Sequence, residues 1–388
     1  MIRGRRNWQC PAGPGFGVLP WSDLSSSTPT GSGVGGGGAN GPGAPPDTGN
    51  LLTLEYNGIV ATGGSLYVLP HNFAQVLKIT FTAGAASGIG GIGYPSNSEF
   101  PTFGFGGACR AGDGKVYARN HTTNKFLVID PATDTFAVVA SGWHAGTQSL
   151  TLQTGNIGWV FMEEPPSGPP VFYWVEFDLG TQTTNRTPIT GMPAGVTGCA
   201  AILHPDGYLY LATDIGMVRV DLTTFAASYD YPFPVGMIGR MGLSADGTIV
   251  VAVSGQANTP TTRVFLYNPA WPVHPTLGIV WHEDISFVYD PGSSAAAVFT
   301  SVVLGPNGNL YLIPATHDRL VEVNVADRTY HIYDMGVSMA GSSWGAGAVG
   351  YDGRIYAAPV DQMGVLYVTT NTPVPSANWP INPYINHY

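Results

Sequence analysis

Lysine is nearly absent from this sequence. The 388-residue chain carries three, Lys78, Lys115 and Lys125, and charged residues of all kinds make up 10% of it, against roughly a quarter in an ordinary soluble domain. The net charge is −10. A duplex-binding protein needs a basic face to displace counterions from phosphate, so no nucleic-acid partner is expected. The one basic cluster, Arg3, Arg5 and Arg6, reads as a solubilising or docking tip. Cysteine is equally scarce: Cys10, Cys109 and Cys199 are odd in number and scattered, which excludes a disulfide framework or zinc spacing. Cys109 and Cys199 stand among glycine and alanine, a setting for buried thiols that behave as small apolar groups. Long apolar runs are missing too. Stretches such as Ala295–Phe299 are far too short to span a bilayer. The first 23 residues have arginines but no continuous apolar segment, so no signal peptide is expected. No membrane insertion is expected either. Nor is there a Gly-x-Ser-x-Gly elbow, a phosphate loop or a paired His–Glu zinc helix.

What the chain has instead is 53 glycines, 32 prolines, 44% hydrophobic residues and 11% aromatics. Disorder needs low hydrophobicity and high charge, so this mixture describes short strands joined by many tight turns. The fold class is all-β.

A turn followed by a short β-rich run recurs seven times. The copies begin Gly64-Ser-Leu-Tyr67, Asp113-Gly-Lys-Val-Tyr117, Gly155-Asn-Ile-Gly-Trp159 and Asp206-Gly-Tyr-Leu-Tyr210. They continue with Asp246-Gly-Thr-Ile-Val250, Asn307-Gly-Asn-Leu-Tyr311 and Asp352-Gly-Arg-Ile-Tyr356. Asp-Gly and Asn-Gly supply the positive φ of a hairpin turn. A second strand signal follows each copy: Gln75–Thr82, Lys125–Asp130, Val171–Asp178, Met217–Asp221, Arg263–Tyr267, Leu320–Asn324 and Gly364–Thr369. A fourth, outer strand shows in Phe136–Ala140 and Tyr330–Tyr333. Four strands in about 40–60 residues is the size of a propeller blade.

The strand before each Asp-Gly turn is rich in small residues, as in Gly106-Gly-Ala-Cys109, Gly198-Cys-Ala-Ala201, Met241-Gly-Leu243 and Gly345-Ala-Gly-Ala348. Innermost strands crowd around an axis, where glycine marks close backbone approach. The expectation is a seven-bladed β-propeller of four-stranded antiparallel blades over residues 51–371, with an extended N-terminal arm (1–50) and a Pro/aromatic tail (372–388). The last copy shows three strands, and the extended run Leu51–Tyr56 is expected to complete it and close the ring.

The pattern Asp-Gly-x-hydrophobic-Tyr followed by hydrophobic-Asp-Pro-x-Thr, clearest in Asp113–Thr133, resembles the propellers of the streptogramin-lyase, NHL and YVTN-repeat group over roughly residues 51–370. That resemblance implies the fold. It is weak for activity, because the scaffold hosts lyases, lactonases, adhesins and binding rings alike. In the lyases it implies histidines and a glutamate in late blades, with magnesium; His282, Glu283 and Glu322 lie in that region here but align to no motif, so no role is carried over.

Chemistry-bearing residues share one position. His71 and His121 lie four residues beyond the aromatic of their copy, Asp214 has the same offset in the fourth, and His317 and Asp361 fall nearby in the sixth and seventh. Such turns open on one face of a propeller. Converging imidazoles and carboxylates at an axial mouth could bind a ligand or a metal ion, or act as acid and base; the competing reading is solvated turn residues. The pair Glu163-Glu164 would point to opposite faces of a strand, a poor acid/base couple. Asn120-His-Thr122 and Asn185-Arg-Thr187 match the glycosylation pattern by chance in a chain with no expected leader.

Within the arm, Trp8, Phe16 and Trp21 stand among glycine and proline ahead of the Gly-rich run 31–46. These aromatics are expected to anchor the chain in an assembly; the other reading is that the arm folds back on its own ring. The leading expectation is a bacteriophage virion protein. Other virion proteins would hold residues 1–50, and the ring would serve as decoration or as a module for a host glycan or protein receptor, without catalytic residues or cofactors. The alternative is a soluble propeller lyase or lactonase with a divalent metal at the axial mouth.

Overall fold

In the computed structural model the described residues are 15–20 and most of 56–370, with breaks at several inter-strand connections. They form 28 strands arranged as seven four-stranded antiparallel sheets. After β1 (Gly15–Pro20), the first sheet is β2 (Tyr56–Thr62), β3 (Ser65–Pro70), β4 (Gln75–Thr82) and β5 (Ala85–Gly93). The second is β6 (Phe105–Arg110), β7 (Val116–Asn120), β8 (Lys125–Asp130) and β9 (Thr135–Ala140). The third is β10 (Leu150–Gln153), β11 (Asn156–Glu163), β12 (Val171–Asp178) and β13 (Thr183–Pro188); the fourth is β14 (Cys199–Leu203), β15 (Tyr208–Thr213), β16 (Gly216–Asp221) and β17 (Ala226–Pro232). The fifth is β18 (Gly239–Leu243), β19 (Ile249–Val253), β20 (Thr261–Tyr267) and β21 (His282–Val288). The sixth is β22 (Phe299–Leu304), β23 (Leu310–Pro314), β24 (Arg319–Asn324) and β25 (Thr329–Asp334). The last contains β26 (Trp344–Val349), β27 (Ile355–Pro359) and β28 (Gly364–Thr369). Within each sheet consecutive strands are neighbours, so each is a simple meander.

The first strands touch in cyclic order: β2 with β6, β6 with β10, and so on to β22 with β26, and β26 returns to β2. The core follows the same cycle. Seven buried apolar clusters each combine two successive sheets, and one of them joins Ile59, Leu66 and Val68 of the first sheet to Ala346, Tyr356 and Val365 of the last. A sheet covered on both faces needs apolar residues at every position of its inner strands. Accordingly, all of β7 and β23 is buried, while no residue of the fourth strands β9 and β13 is fully buried. The small residues of the first strands have the expected reason. A Cβ on Gly242 would lie 2.5 Å from Val302 Cγ1, and one on Gly347 would lie 2.7 Å from Val303 Cγ2, both side chains of a neighbouring sheet.

One expectation is corrected. The strand that completes the last sheet is β1, whose residues Gly15–Pro20 pair antiparallel with Thr369–Gly364. Tyr56 instead opens β2, and Leu51–Glu55 lie outside the described residues. An outermost strand needs only backbone groups to complete the edge it covers, so a Gly-rich segment serves; its closing Pro20, which has no N–H to offer a ladder, is tolerated on an edge strand. Phe16, read as an assembly anchor, therefore lies in β1 opposite Val368, while Trp8 and Trp21 lie outside the described residues. No helix among the described residues is long and apolar enough to cross a membrane.

Candidate functional site

Antiparallel order places the turns at two ends. Turns between first and second strands, and between third and fourth, share one end of every sheet. Turns between second and third strands share the other.

The Asp-Gly turns occupy the first end, and their geometry explains the motif. The aspartate Oδ1 accepts the N–H two residues on: Lys115 at 3.0 Å from Asp113, Tyr208 at 3.0 Å from Asp206, Thr248 at 3.0 Å from Asp246 and Arg354 at 3.1 Å from Asp352. The following glycine has φ of 83° at Gly114, 90° at Gly207, 85° at Gly247 and 75° at Gly353, a conformation that costs other residues roughly 1–2 kcal/mol. The tyrosine four residues on donates its hydroxyl to Oδ2, at 2.9 Å from Tyr117, 2.8 Å from Tyr210 and 2.7 Å from Tyr356. In the fifth sheet Val250 takes the tyrosine position, and the Ser244 hydroxyl donates to Asp246 instead. Burial first, then the aspartate, pushes the pKa values of Tyr117 and Tyr210 well above normal; these phenols stay protonated as donors.

The sixth sheet has Asn307 in place of aspartate, and Glu322 of β24 supplies the missing carboxylate. Its Oε1 accepts from Asn307 (2.9 Å), Asn309 (2.6 Å) and Tyr311 (2.8 Å), and its Oε2 from Tyr333 (2.6 Å). Burial raises its pKa, but hydrogen bonds from Tyr333, Asn309, Tyr311 and Asn307 outweigh that and hold it below the ordinary glutamate value. Glu322 is thus a structural anchor.

The turns into the fourth strands repeat as well. Asp130, Asp178 and Asp221 accept the N–H groups of Ala132 (3.0 Å), Thr181 (2.7 Å) and Thr223 (2.7 Å). Backbone donors hold Asp178 and Asp221 below the usual carboxylate range. Four residues past the turn's opening Asp or Asn, Asp134, Gln182, Phe225 and Arg328 all have φ between 54° and 57°. Neighbouring sheets are tied together at this end. Asp134 accepts the Tyr67 hydroxyl at 2.6 Å and pairs with Lys78 at 2.6 Å, and His204 Nε2 lies 2.8 Å from the Gly247 carbonyl. The carboxylates the sequence offers here are occupied with holding turns.

The residues singled out for ligand binding follow second strands along the chain. His71 follows β3 directly and His121 follows β7; His317 and Asp361 come just after β23 and β27. All four lie outside the described residues. Asp214, half-buried in the β15–β16 turn, is described. There the Thr213 hydroxyl donates to Gly216 O at 2.7 Å and accepts the Gly216 N–H at 3.0 Å, which sets the turn that presents Asp214. Of the five residues, Asp214 alone is among those the structure describes. His282 and Glu283 pair through their backbones with Tyr267 and Leu266. Glu163 pairs with Arg186 at 3.3 Å, and Glu164 lies outside the described residues.

The structure adds a contact that sequence reasoning passed over, between Arg119 and the aromatic of the third copy, Trp159. Arg119, the penultimate residue of β7, and Trp159 of β11 are both 0% exposed, and the guanidinium carbon lies 6.0 Å from the indole centre. Burial lowers the Arg119 pKa to about 10. The Trp159 Nε1–H is buried with no hydrogen-bond partner. The one available signal was an arginine inside an otherwise strand-like run, Val116-Tyr-Ala-Arg-Asn120. Asn120 is itself fully buried and its Oδ1 accepts the Thr123 N–H at 2.9 Å, so the glycosylation match there is a turn residue. Cys109 is buried as expected, with its thiol pushed up to about 12 by burial and then by Asp113.

No protein-family model and no curated protein matches the chain. Solved structures do. A streptogramin B lyase is 12% identical, with a TM-score of 0.54 over 83% of this chain and 95% of that one. A virginiamycin B lyase from Staphylococcus aureus, solved with quinupristin, is 13% identical, with a TM-score of 0.56 over 83% and 96%. The Swd1 β-propeller domain from Myceliophteria thermophila is 10% identical, with a TM-score of 0.55 over 81% and 96%. Identities this low speak for the fold alone: the chain has a β-propeller architecture.

Proposed function

We propose that the seven sheets are the blades of one seven-bladed propeller latched by Gly15–Pro20, and that the chain is a virion structural protein of a bacteriophage. In this reading the ring is a decoration or receptor-binding module, and the arm residues outside the latch dock to other virion proteins. One observation carries the preference for binding over catalysis. The described carboxylates of the repeated turns are tied to backbone and tyrosine donors, whereas the exposed large apolar residues among the described ones are tyrosines: Tyr229, Tyr330 and Tyr351, 41–47% exposed. Tyr229 and Tyr330 sit on the fourth strands β17 and β25, at the outer edges of their blades. Rigid aromatics on a weakly charged surface suit shallow contacts with a cell-surface glycan or protein, where copy number supplies avidity.

The lyase or lactonase alternative draws on fold likeness, and Glu322, held by four donors, does not favour it. The test is to delete residues 1–14, which spares the closing strand. The expected product is a folded ring that no longer enters the particle when co-expressed with the other structural proteins of the phage. Unchanged incorporation refutes the docking role. Alanine at Tyr229, Tyr330 and Tyr351 together is expected to abolish attachment of the ring to host cells or to a glycan array.

A further inference from the structure

We propose that the outer edge of β28 is a docking site for a second copy of this chain, whose Gly15–Pro20 segment it takes up in place of its own, so that neighbouring copies exchange closing strands. The inference rests on the pairing of β1 with β28 and not on the virion reading. All six residues of β1 pair with β28 in one antiparallel register, from Gly15 with Thr369 to Pro20 with Gly364. Such a ladder is held by main-chain groups, so the Gly15–Pro20 of another copy makes the same bonds as the chain's own. The choice between them falls to the tether. Pro20 stands opposite Gly364, the first residue of β28, and Tyr56 stands opposite Pro70, the last of β3. Both therefore lie at the end where second strands lead into third. The last sheet runs β1, β28, β27, β26, and β2 touches β26. At a strand spacing of about 4.8 Å the gap from β1 to β2 is roughly 20–25 Å, which about seven extended residues span. Residues 21–55 lie between the two strands, about five times that number. A glycine-rich tether of that length reaches roughly 30–35 Å, well beyond the gap, and its local concentration at the edge falls as about the −3/2 power of its length. A strand tied this loosely competes on near-equal terms with a neighbour's once copies are packed to roughly millimolar density. Exchange of an identical element is then a low-cost route to association.

The experiment uses two full-length variants, Gly15→Cys and Thr369→Cys, whose positions face each other in the ladder, each carrying Cys10→Ser to remove the nearest competing thiol. They are unfolded together in urea, refolded as a mixture at about 0.5 mM and oxidised; if refolding fails, they are co-expressed and oxidised instead. The expected product is a disulfide joining position 15 of one chain to position 369 of the other, located by peptide mass spectrometry. It should fade on refolding at about a hundredfold lower concentration. Deleting residues 31–46 from both variants roughly halves the tether, holds each chain's own strand closer, and should lower the cross-linked fraction about two- to threefold. The double variant Gly15→Cys/Thr369→Cys in one chain is the control for the pairing itself. If it closes within the chain while the mixture yields no disulfide between chains, the exchange is overturned and the strand serves its own chain alone. If it forms no disulfide at all, β1 does not cover β28 and the proposal falls with its premise. A cross-linked fraction indifferent to the shortened tether also overturns it.

Discussion

Each tyrosine of the repeated motif is there for its hydroxyl as much as for its ring. Tyr117, Tyr210 and Tyr356 are buried along their rings and reach a turn aspartate with their oxygens, which explains why the motif ends in tyrosine where phenylalanine would fill the same space. Glu322 shows the rule from its exception, since losing the turn aspartate to Asn307 is compensated from an adjacent strand. Its pKa is lowered in the folded state. The stability it contributes is therefore fully present above the unfolded glutamate value of about 4.3 and is lost as pH falls through the lower folded value. Glu322→Gln is expected to cost about 1–3 kcal/mol at pH 7, with the gap to the parent narrowing below pH 4. Urea titrations at both pH values check this, and an equal gap at each contradicts it.

At the scale of the strand, small residues stand where neighbouring sheets meet at the axis. Gly242 of β18 faces Val302 of β22 so closely that a methyl group has no room. Gly242→Ala should destabilise by roughly 1–3 kcal/mol, as overpacking does, and shortening the neighbour in Gly242→Ala/Val302→Ala should recover part of the loss. A simple sum of the two single effects in thermal melts would show that the two residues are not in contact. These first strands were legible because crowding leaves a compositional mark. So were the third strands: β4, β8, β12 and β28 have the ends the sequence implied. The fourth strands were harder to read. A strand such as Thr183–Pro188, polar and largely exposed, carries little apolar alternation to reveal it.

For the molecule as a whole, closure decides stability. One buried cluster joins the first and last sheets, and the last sheet is completed by a segment from the other end of the sequence. Deleting residues 1–20 should lower the melting temperature by several degrees and expose β28 as a pairing edge that promotes aggregation. Deleting only 1–14 should leave the melt unchanged. Calorimetry and light scattering on the two truncations separate the outcomes, and equal behaviour would mean that the closing strand contributes nothing.

The sequence by itself determined the repeat, the turn chemistry and the small-residue axis, because each is a local demand: positive φ needs glycine, a turn needs an aspartate, a crowded strand needs small side chains. Only the tertiary structure decided which segment closes the ring and that Arg119 lies buried against Trp159. Edge pairing uses backbone groups that every residue possesses, and contacts across sheets join positions whose separation along the chain obeys no period.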